Sequence, residues 1–272
     1  MSTMSVNTNA GAMIALQSLR ATNRALETTQ LRVTTGLKVN GPKDDAATFA
    51  IAQNMRGDIA GYRSVGTSLA MGESVVNVAI DAAKSIADLL TEMKAKSVQA
   101  SQEGMDNDSY IALHQDFTAL REQIETIVNT AEFNGKNLIA SDATNFKVLS
   151  TIDGSTITVT AQAVDSTTLL LHTASLANAT SASQARAVLN AAIVTVSNAL
   201  AGLGASAKRV EIQKDFTMKL VDVLKQGVGN LVDADLAEES ASLQALQIKQ
   251  QLGVEALAIA NANPQSILAL FR

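Results

Sequence analysis

YRSVGTSLAMGESVVNVAIDAAKSIADLLTEM, residues 62–93, places Tyr62, Val65, Leu69, Gly72, Val76, Ala79, Ala83, Ile86, Leu90 and Met93 at alternating steps of three and four. That alternation, sustained over about four heptads, is the seam of a long helix that buries one stripe against other helices. The composition agrees: 47% of residues are hydrophobic but only 3% aromatic, so a core must be assembled from Ala, Val, Leu and Ile. Such side chains suit closely spaced helices and predict a slender molecule.

The same period recurs on both sides. Toward the amino end, Leu16, Leu19, Asn23, Leu26, Gln30, Val33 and Leu37 form a seam, and Gly36 with Asn40, Gly41 and Pro42 should interrupt it before Asp44. Toward the carboxyl end, a break at Gly104 to Asp108 precedes Leu113, Phe117, Leu120, Ile124 and Ile127, a helix predicted to end near Asn134-Gly135. From Ser141 to about residue 180 the period is lost, Ser and Thr become abundant, and Asp153-Gly154 between Ile152 and Ile157 signals a β-hairpin. Ser181 with Gln184 reads as a capping box. It opens a seam through Leu189, Ile193, Val196, Leu200, Leu203, Ala207, Val210, Val221, Leu224, Val228 and Leu231. A last heptad line runs through Leu236, Leu243, Gln250 and Leu257, until Pro264 is expected to break it ahead of Ile267 and Leu268.

The fold class is therefore mainly α: a long helical hairpin or coiled coil from paired amino- and carboxyl-terminal segments, with a small β-rich region mid-chain. The two ends are electrostatically complementary. Residues 1–40 carry Arg20, Arg24, Arg32 and Lys38 against Glu27, a net charge of +3. Residues 233–272 carry Lys249 and Arg272 against Asp233, Asp235, Glu238, Glu239 and Glu255, a net charge of −3. Because Asn23, Gln30 and Gln250 stand in the seams, the pair buries less apolar surface than a leucine zipper at ~25 cal/mol per Å². The ends are expected to be largely unfolded alone and to need neighbours, and the aperiodic segment from 141 to be dispensable for assembly.

Several function classes fall away. A net charge of −5 opposes general nucleic-acid binding, and no run of uninterrupted apolar residues is long enough to span a membrane. Neither basic start nor apolar run marks the first residues, so no cleavable signal is expected. With no Cys and only His114 and His172, the usual zinc ligand sets are out of reach, and both histidines are expected at the surface. The acidic clusters Asp44-Asp45 and Asp233, Asp235, Glu238 and Glu239 lack a second ligand set or a nucleophile's base, so solvated or pairing roles are expected. Gly202-Leu203-Gly204 precedes no Lys-Ser or Lys-Thr, and no phosphate loop is present. No catalytic residue, metal or cofactor is expected.

Asn7-Thr8-Asn9 with Ala10, Ala12, Ala15 and Leu19, then Thr35-Gly36-Leu37-Lys38-Val39-Asn40 and Asp44-Asp45-Ala46-Ala47, resembles the amino-terminal signature of bacterial flagellins. The far end is similar in the same way, through Leu203-Gly204-Ala205 and Arg209, Val232-Asp233-Ala234-Asp235-Leu236-Ala237-Glu238-Glu239, and Ala260-Asn261-Ala262-Asn263-Pro264-Gln265-Ser266-Ile267-Leu268. Phe133-Asn134-Gly135-Lys136-Asn137-Leu138 adds an internal match, and the likeness lapses only from about Ser141 to Ala182.

The resemblance implies a filament subunit for swimming motility, with residues 1–44 and 233–272 as a paired inner core, 45–140 and 181–232 as an outer helical rod, and 141–180 as a short variable region. It assigns inner-core packing to Asn7, Asn9, Leu16, Leu19, Leu26, Val33, Leu37, Leu236, Leu243, Leu257, Pro264, Ile267 and Leu268. Outer-rod packing falls to Leu69, Val76, Ile86, Leu90, Phe117, Leu120, Ile124, Leu200, Leu203 and Val210. The implied partners are further copies of the chain or other flagellins, the flagellar type III export apparatus with a secretion chaperone, and the filament cap and hook-junction proteins. The implied location is extracellular, with O-linked sugar expected at Thr167, Thr168, Thr173 or Ser175. The alternative is a flagellin-like protein of the hook–filament junction.

Overall fold

The computed structural model describes residues 8–268, and side-chain surroundings for residues 8–262. Five helices carry the chain: α1 (Ala10–Thr35), α2 (Ala46–Ala100), α3 (Asn107–Thr130), α4 (Ala179–Val232) and α5 (Leu236–Leu268). Between α3 and α4 lie two antiparallel hairpins, β1 (Glu132–Phe133) with β2 (Lys136–Asn137) and β3 (Phe146–Leu149) with β4 (Thr156–Val159).

Two compact units result. One comprises the residues through Gly57 and those from Val223 on; the other is Asp58–Asp222. The boundaries fall inside α2 and α4 and not at residues 44 and 232, and both helices run unbroken through them. Segment 141–180 also belongs to the second unit rather than forming a region of its own.

The second unit holds the large core. Val65, Leu69, Val76, Ile86, Leu90 and Met93 of α2, Phe117, Ile124 and Val128 of α3, and Leu189, Val196, Leu203 and Val210 of α4 are all buried in one cluster. Each such aliphatic or aromatic side chain contributes about 1.5–3 kcal/mol on burial. Leu120 and Leu200 pack against its edge. Part of α4 has a mean hydropathy of 1.6, long and apolar enough by composition to cross a bilayer, but its Leu189–Val210 stripe is this unit's core.

Local chemistry fixes the ends of these elements. Asn137 donates from Nδ2 to the Val128 carbonyl at 2.6 Å, so α3 stops at Thr130 and not at Asn134-Gly135. Asn134 and Gly135, at φ 52° and 72°, instead make the turn between β1 and β2. The cap of α4 is Asn178, whose Oδ1 accepts the Ser181 N–H at 2.8 Å, so Ser181 lies inside the helix and is not its cap. In the second hairpin Val148 pairs with Ile157, and the loop from Ser150 to Ser155 carries Ile152 and Asp153-Gly154.

That hairpin lies against α2 where α2 has no side chains. A Cβ on Gly72 would come within 2.5 Å of Val148 Cγ2, and one on Gly61 within 2.8 Å of Ile152 Cγ2. Gly72→Ala therefore sets about 1 kcal/mol of gained helix propensity against an overpacking cost of about 1–3 kcal/mol. The clash should win, with a lower urea midpoint and an unchanged slope; a raised midpoint would show that the hairpin yields without cost.

Candidate assembly interface

In the first unit α1 and α5 pair antiparallel, and polar contacts along their length define one register. Asn23 accepts from Gln250 Nε2 at 2.8 Å, Arg32 donates to Glu239 at 2.9 Å, and Asn9 Nδ2 donates to the Ala260 carbonyl at 2.8 Å. Leu37 bridges Asp233, and the Val232 carbonyl accepts the Lys38 N–H at 2.7 Å. Gly36, at φ 72°, ends α1 in a left-handed cap, which turns the chain into this bridge.

The seam is subtler than a row of large residues. On α1 the half-buried or buried line is Ala12, Ala15, Leu19, Thr22, Leu26, Thr29, Val33 and Gly36, while Leu16 and Gln30 point away and are exposed. On α5 it is Glu239, Leu243, Leu246, Gln250, Gly253, Leu257 and Ala260, with Leu236 exposed. From Ala15 to Gly36 small and large residues alternate along α1, and on α5 the small Gly253 and Ala260 flank Leu257. The two lines interdigitate: a Cβ on Gly253 would sit 3.1 Å from Leu19 Cδ1. The sequence seam places Leu16 and Gln30 on this line because their type and spacing fit. The helix presents Ala15 and Thr29 instead, and these let the backbones approach closely.

Little of the pair is sealed from solvent. Thr29 is the one buried residue of α1, and none of α5 through residue 262 is buried. Outward-facing apolar side chains are plentiful, with Met13 63%, Ile14 68%, Ile248 58%, Leu252 58%, Val254 54% and Ile259 67% exposed. Met13 and Ile14 share a shallow concavity with Gln17, Arg20 and Arg24, so the apolar strip is flanked by cations.

The acidic residues act as caps and pair members. Asp45 Oδ1 accepts the Ala47 and Thr48 N–H groups at 3.0 and 3.1 Å, and Oδ2 accepts the Thr48 hydroxyl at 2.6 Å. These bonds, led by the Thr48 hydroxyl, hold the Asp45 carboxyl below its ordinary range. Asp44 Oδ2 accepts the Asn40 and Gly41 N–H groups, and Asp235 caps α5 through the Ala237 N–H at 2.8 Å. Among the described residues no group of three potential metal ligands converges. His114 is not a surface histidine: it is half-buried, and Nδ1 accepts the Leu176 N–H at 3.3 Å, whereas His172 is exposed.

Of the other expected site residues, Leu19, Leu26, Val33, Leu37, Leu243 and Leu257 are half-buried in the first unit. Asn7 lies outside the described residues. Pro264, Ile267 and Leu268 are on α5, which runs through Pro264 without a break, but their side chains lie outside the described ones. Thr167, Thr168 and Thr173 are exposed and Ser175 half-buried. Sequence reasoning missed the contact of Asn9 with Ala260 and the second line of the α5 seam. Its available signal was the seven-residue recurrence of Glu239, Leu246, Gly253 and Ala260, three positions beyond each of Leu236, Leu243, Gln250 and Leu257.

Residues 6–144 match the family described as bacterial flagellin N-terminal helical region, and residues 187–271 match its C-terminal helical region. The chain is 45% identical over 269 residues to Flagellin FljK of Caulobacter vibrioides, covering 98% of each, and 36% identical to a Brucella melitensis flagellin, covering 98% of this chain and 99% of that one. Its fold is similar to a Bacillus cereus flagellin crystal structure, with TM-score 0.50 and 21% identity over 54% of this chain and 86% of that one. It is also similar to a Vibrio parahaemolyticus flagellar hook-associated protein, with TM-score 0.60 and 11% identity over 70% of this chain and all of that one. The chain belongs to the bacterial flagellin family. It is a structural subunit of the flagellar filament, a self-assembling polymer that serves motility.

Proposed function

We propose that the α1·α5 pair is the polymerising element, non-enzymatic, and that it orders fully only when neighbouring copies cover it. The observation that carries this reading is the pair's economy of burial: Thr29 alone of α1 is buried, while Met13, Ile14, Leu252 and Ile259 face outward. Ordering each residue costs about 1–2 kcal/mol of backbone entropy, and half-buried Ala and Leu positions offset this poorly. Neighbouring helices would remove the exposed apolar faces from water and bring basic α1 near acidic α5 of other copies.

On this reading the chain leaves the cell unfolded through the flagellum's own type III export apparatus, escorted by a secretion chaperone, and is placed beyond the hook-junction proteins beneath the filament cap. The location is extracellular. O-linked sugar falls on Thr167, since the hydroxyls of Thr168 and Thr173 are occupied by Asp165 and the Leu170 carbonyl and Ser175 is half-buried. Purified protein added to sheared filament seeds should elongate them to many times their starting length in electron micrographs. Seeds that gain a terminal layer and stop would favour the hook–filament junction reading.

A further inference from the structure

Proline inside a helix removes one N–H, and the carbonyl four residues earlier loses its donor. In α5 that proline is Pro264 and that carbonyl belongs to Ala260. Asn9 Nδ2 donates to this carbonyl at 2.8 Å, across a separation of 251 residues. The same side chain accepts the Ala12 N–H on Oδ1 at 3.0 Å and so caps α1. The two bonds fix the orientation of the amide, because only the oxygen can serve Ala12 and only the nitrogen can serve Ala260.

We propose that Asn9 and Pro264 form a register lock: Pro264 frees one carbonyl on α5, and Asn9 at the head of α1 occupies it. Every other carbonyl in the interior of α5 has a helical N–H four residues on, so a slip of α1 by a turn would leave the Ala260 carbonyl without a donor. Beside the contact of Leu19 with Gly253, four seam positions near this end, Ala12, Ala15, Gly253 and Ala260, are small and specify register weakly, so a directional polar bond adds to what packing fixes there. Asn9 is thus a positioning residue for assembly. This rests on the polymerising role of the α1·α5 pair, since a register matters to the filament only if that pair is built into it.

The chain has no Cys, so one engineered pair reports register directly. A Cβ on Gly253 lies 3.8 Å from Leu19 Cβ, the spacing of a disulfide. In a Leu19→Cys, Gly253→Cys background, intramolecular cross-linking under mild oxidant is compared with Asn9→Ser, Pro264→Ala and both together. Ser retains the cap but cannot reach Ala260. Asn9→Ser should slow cross-linking about tenfold, the equivalent of about 1.4 kcal/mol. Pro264→Ala alone should change it by less than about twofold, and added to Asn9→Ser should bring it back to within about twofold of the starting rate, because residue 264 then supplies the missing N–H. Equal rates in all four proteins, or a slow Asn9→Ser protein that Pro264→Ala does not rescue, would overturn the lock. Seed elongation by the unsubstituted chain is scored in parallel: its failure would sink the polymerising role while the cross-linking result still decides the lock.

Discussion

Leu257→Asp should abolish seeded elongation while leaving the folding of the second unit untouched. Leu257 sits half-buried in the α5 line between Gly253 and Ala260. In an isolated chain a carboxylate there keeps part of its hydration, and the cost is small. In a polymer, where further helices cover the pair, the same carboxylate loses its water without gaining a partner, which costs several kcal/mol unless it neutralises. Repeated at every subunit, that penalty should push the critical concentration up by about 100-fold or more. Melting of the second unit, followed by far-UV circular dichroism, should shift by no more than about a degree, because none of its core residues lies on α5. Hydrogen exchange gives the complementary reading: residues 10–35 and 236–262 should exchange rapidly in the monomer and slowly in the filament, while 65–130 are protected in both. Terminal helices already protected in the monomer, or a second unit unfolded by Leu257→Asp, would show that ordering and assembly are separate events.

How much of this is legible in the sequence depends on side-chain size. Leu69, Val76, Ile86 and Leu90 announce their face of α2 because each is large, apolar and placed by the heptad, and all four are fully buried. The α1·α5 seam is half legible for the converse reason. Its large members Leu19, Leu26, Val33, Leu243 and Leu257 follow the period, but Ala12, Ala15, Gly253 and Ala260 carry too little signal to be told from surface alanine and glycine. Thr22 and Thr29 are polar and pass for solvent-facing residues, although Thr29 is the most enclosed position of α1. Leu246 is large enough to be seen, yet it lies off the seven-step line through Leu236, Leu243, Gln250 and Leu257 and joins it only when steps of three and four are followed. Pro264 reads as a stop because proline usually is one; α5 continues through it, and the carbonyl left without its helical donor is taken by a residue from the other end of the chain. The caps fail similarly. Ser181 and Asn178 are both competent N-cap residues three positions apart, and only the fold decides between them. Long-range polar contacts such as Asn9 with Ala260 or His114 with Leu176 have no periodic trace at all.

The segment from 141 to 180 is the least legible, and replacing it with a short Gly-Ser linker should unfold the second unit rather than leave a competent subunit. The sequence suggests a dispensable decoration, since it carries no heptad. Absence of a period is not absence of a core. Val148, Val159, Val164, Leu169, Leu171 and Leu176 are each at most 3% exposed and belong to the same cluster as Phe117 and Leu189. The backbone is tied in as well, with the Gln162 N–H bonded to the Leu138 carbonyl at 2.7 Å and the Val164 N–H to that of Ile139 at 2.9 Å. Side chains from the helices hold its outer turns: Glu125 accepts the Ser166 hydroxyl at 2.7 Å, and Gln213 donates to the Ser150 carbonyl at 3.0 Å. Asp165 anchors the turn before Leu171. Burial raises its carboxyl, but bonds from the Thr168 hydroxyl and the Thr168 and Thr167 N–H groups outweigh this and hold it below the usual range. Six buried side chains at about 1.5–3 kcal/mol each amount to roughly 10 kcal/mol or more, as large as the whole stability of an ordinary domain. The linker variant should therefore lose its cooperative melt, and a milder change, Leu171→Ala, should lower stability by about 2–5 kcal/mol while preserving the transition. Urea titration followed by circular dichroism distinguishes the cases. A linker variant that still melts cooperatively within a few degrees of the parent would mean that α2, α3 and α4 close their core without this segment, and that its buried residues are passengers on a helical bundle already complete.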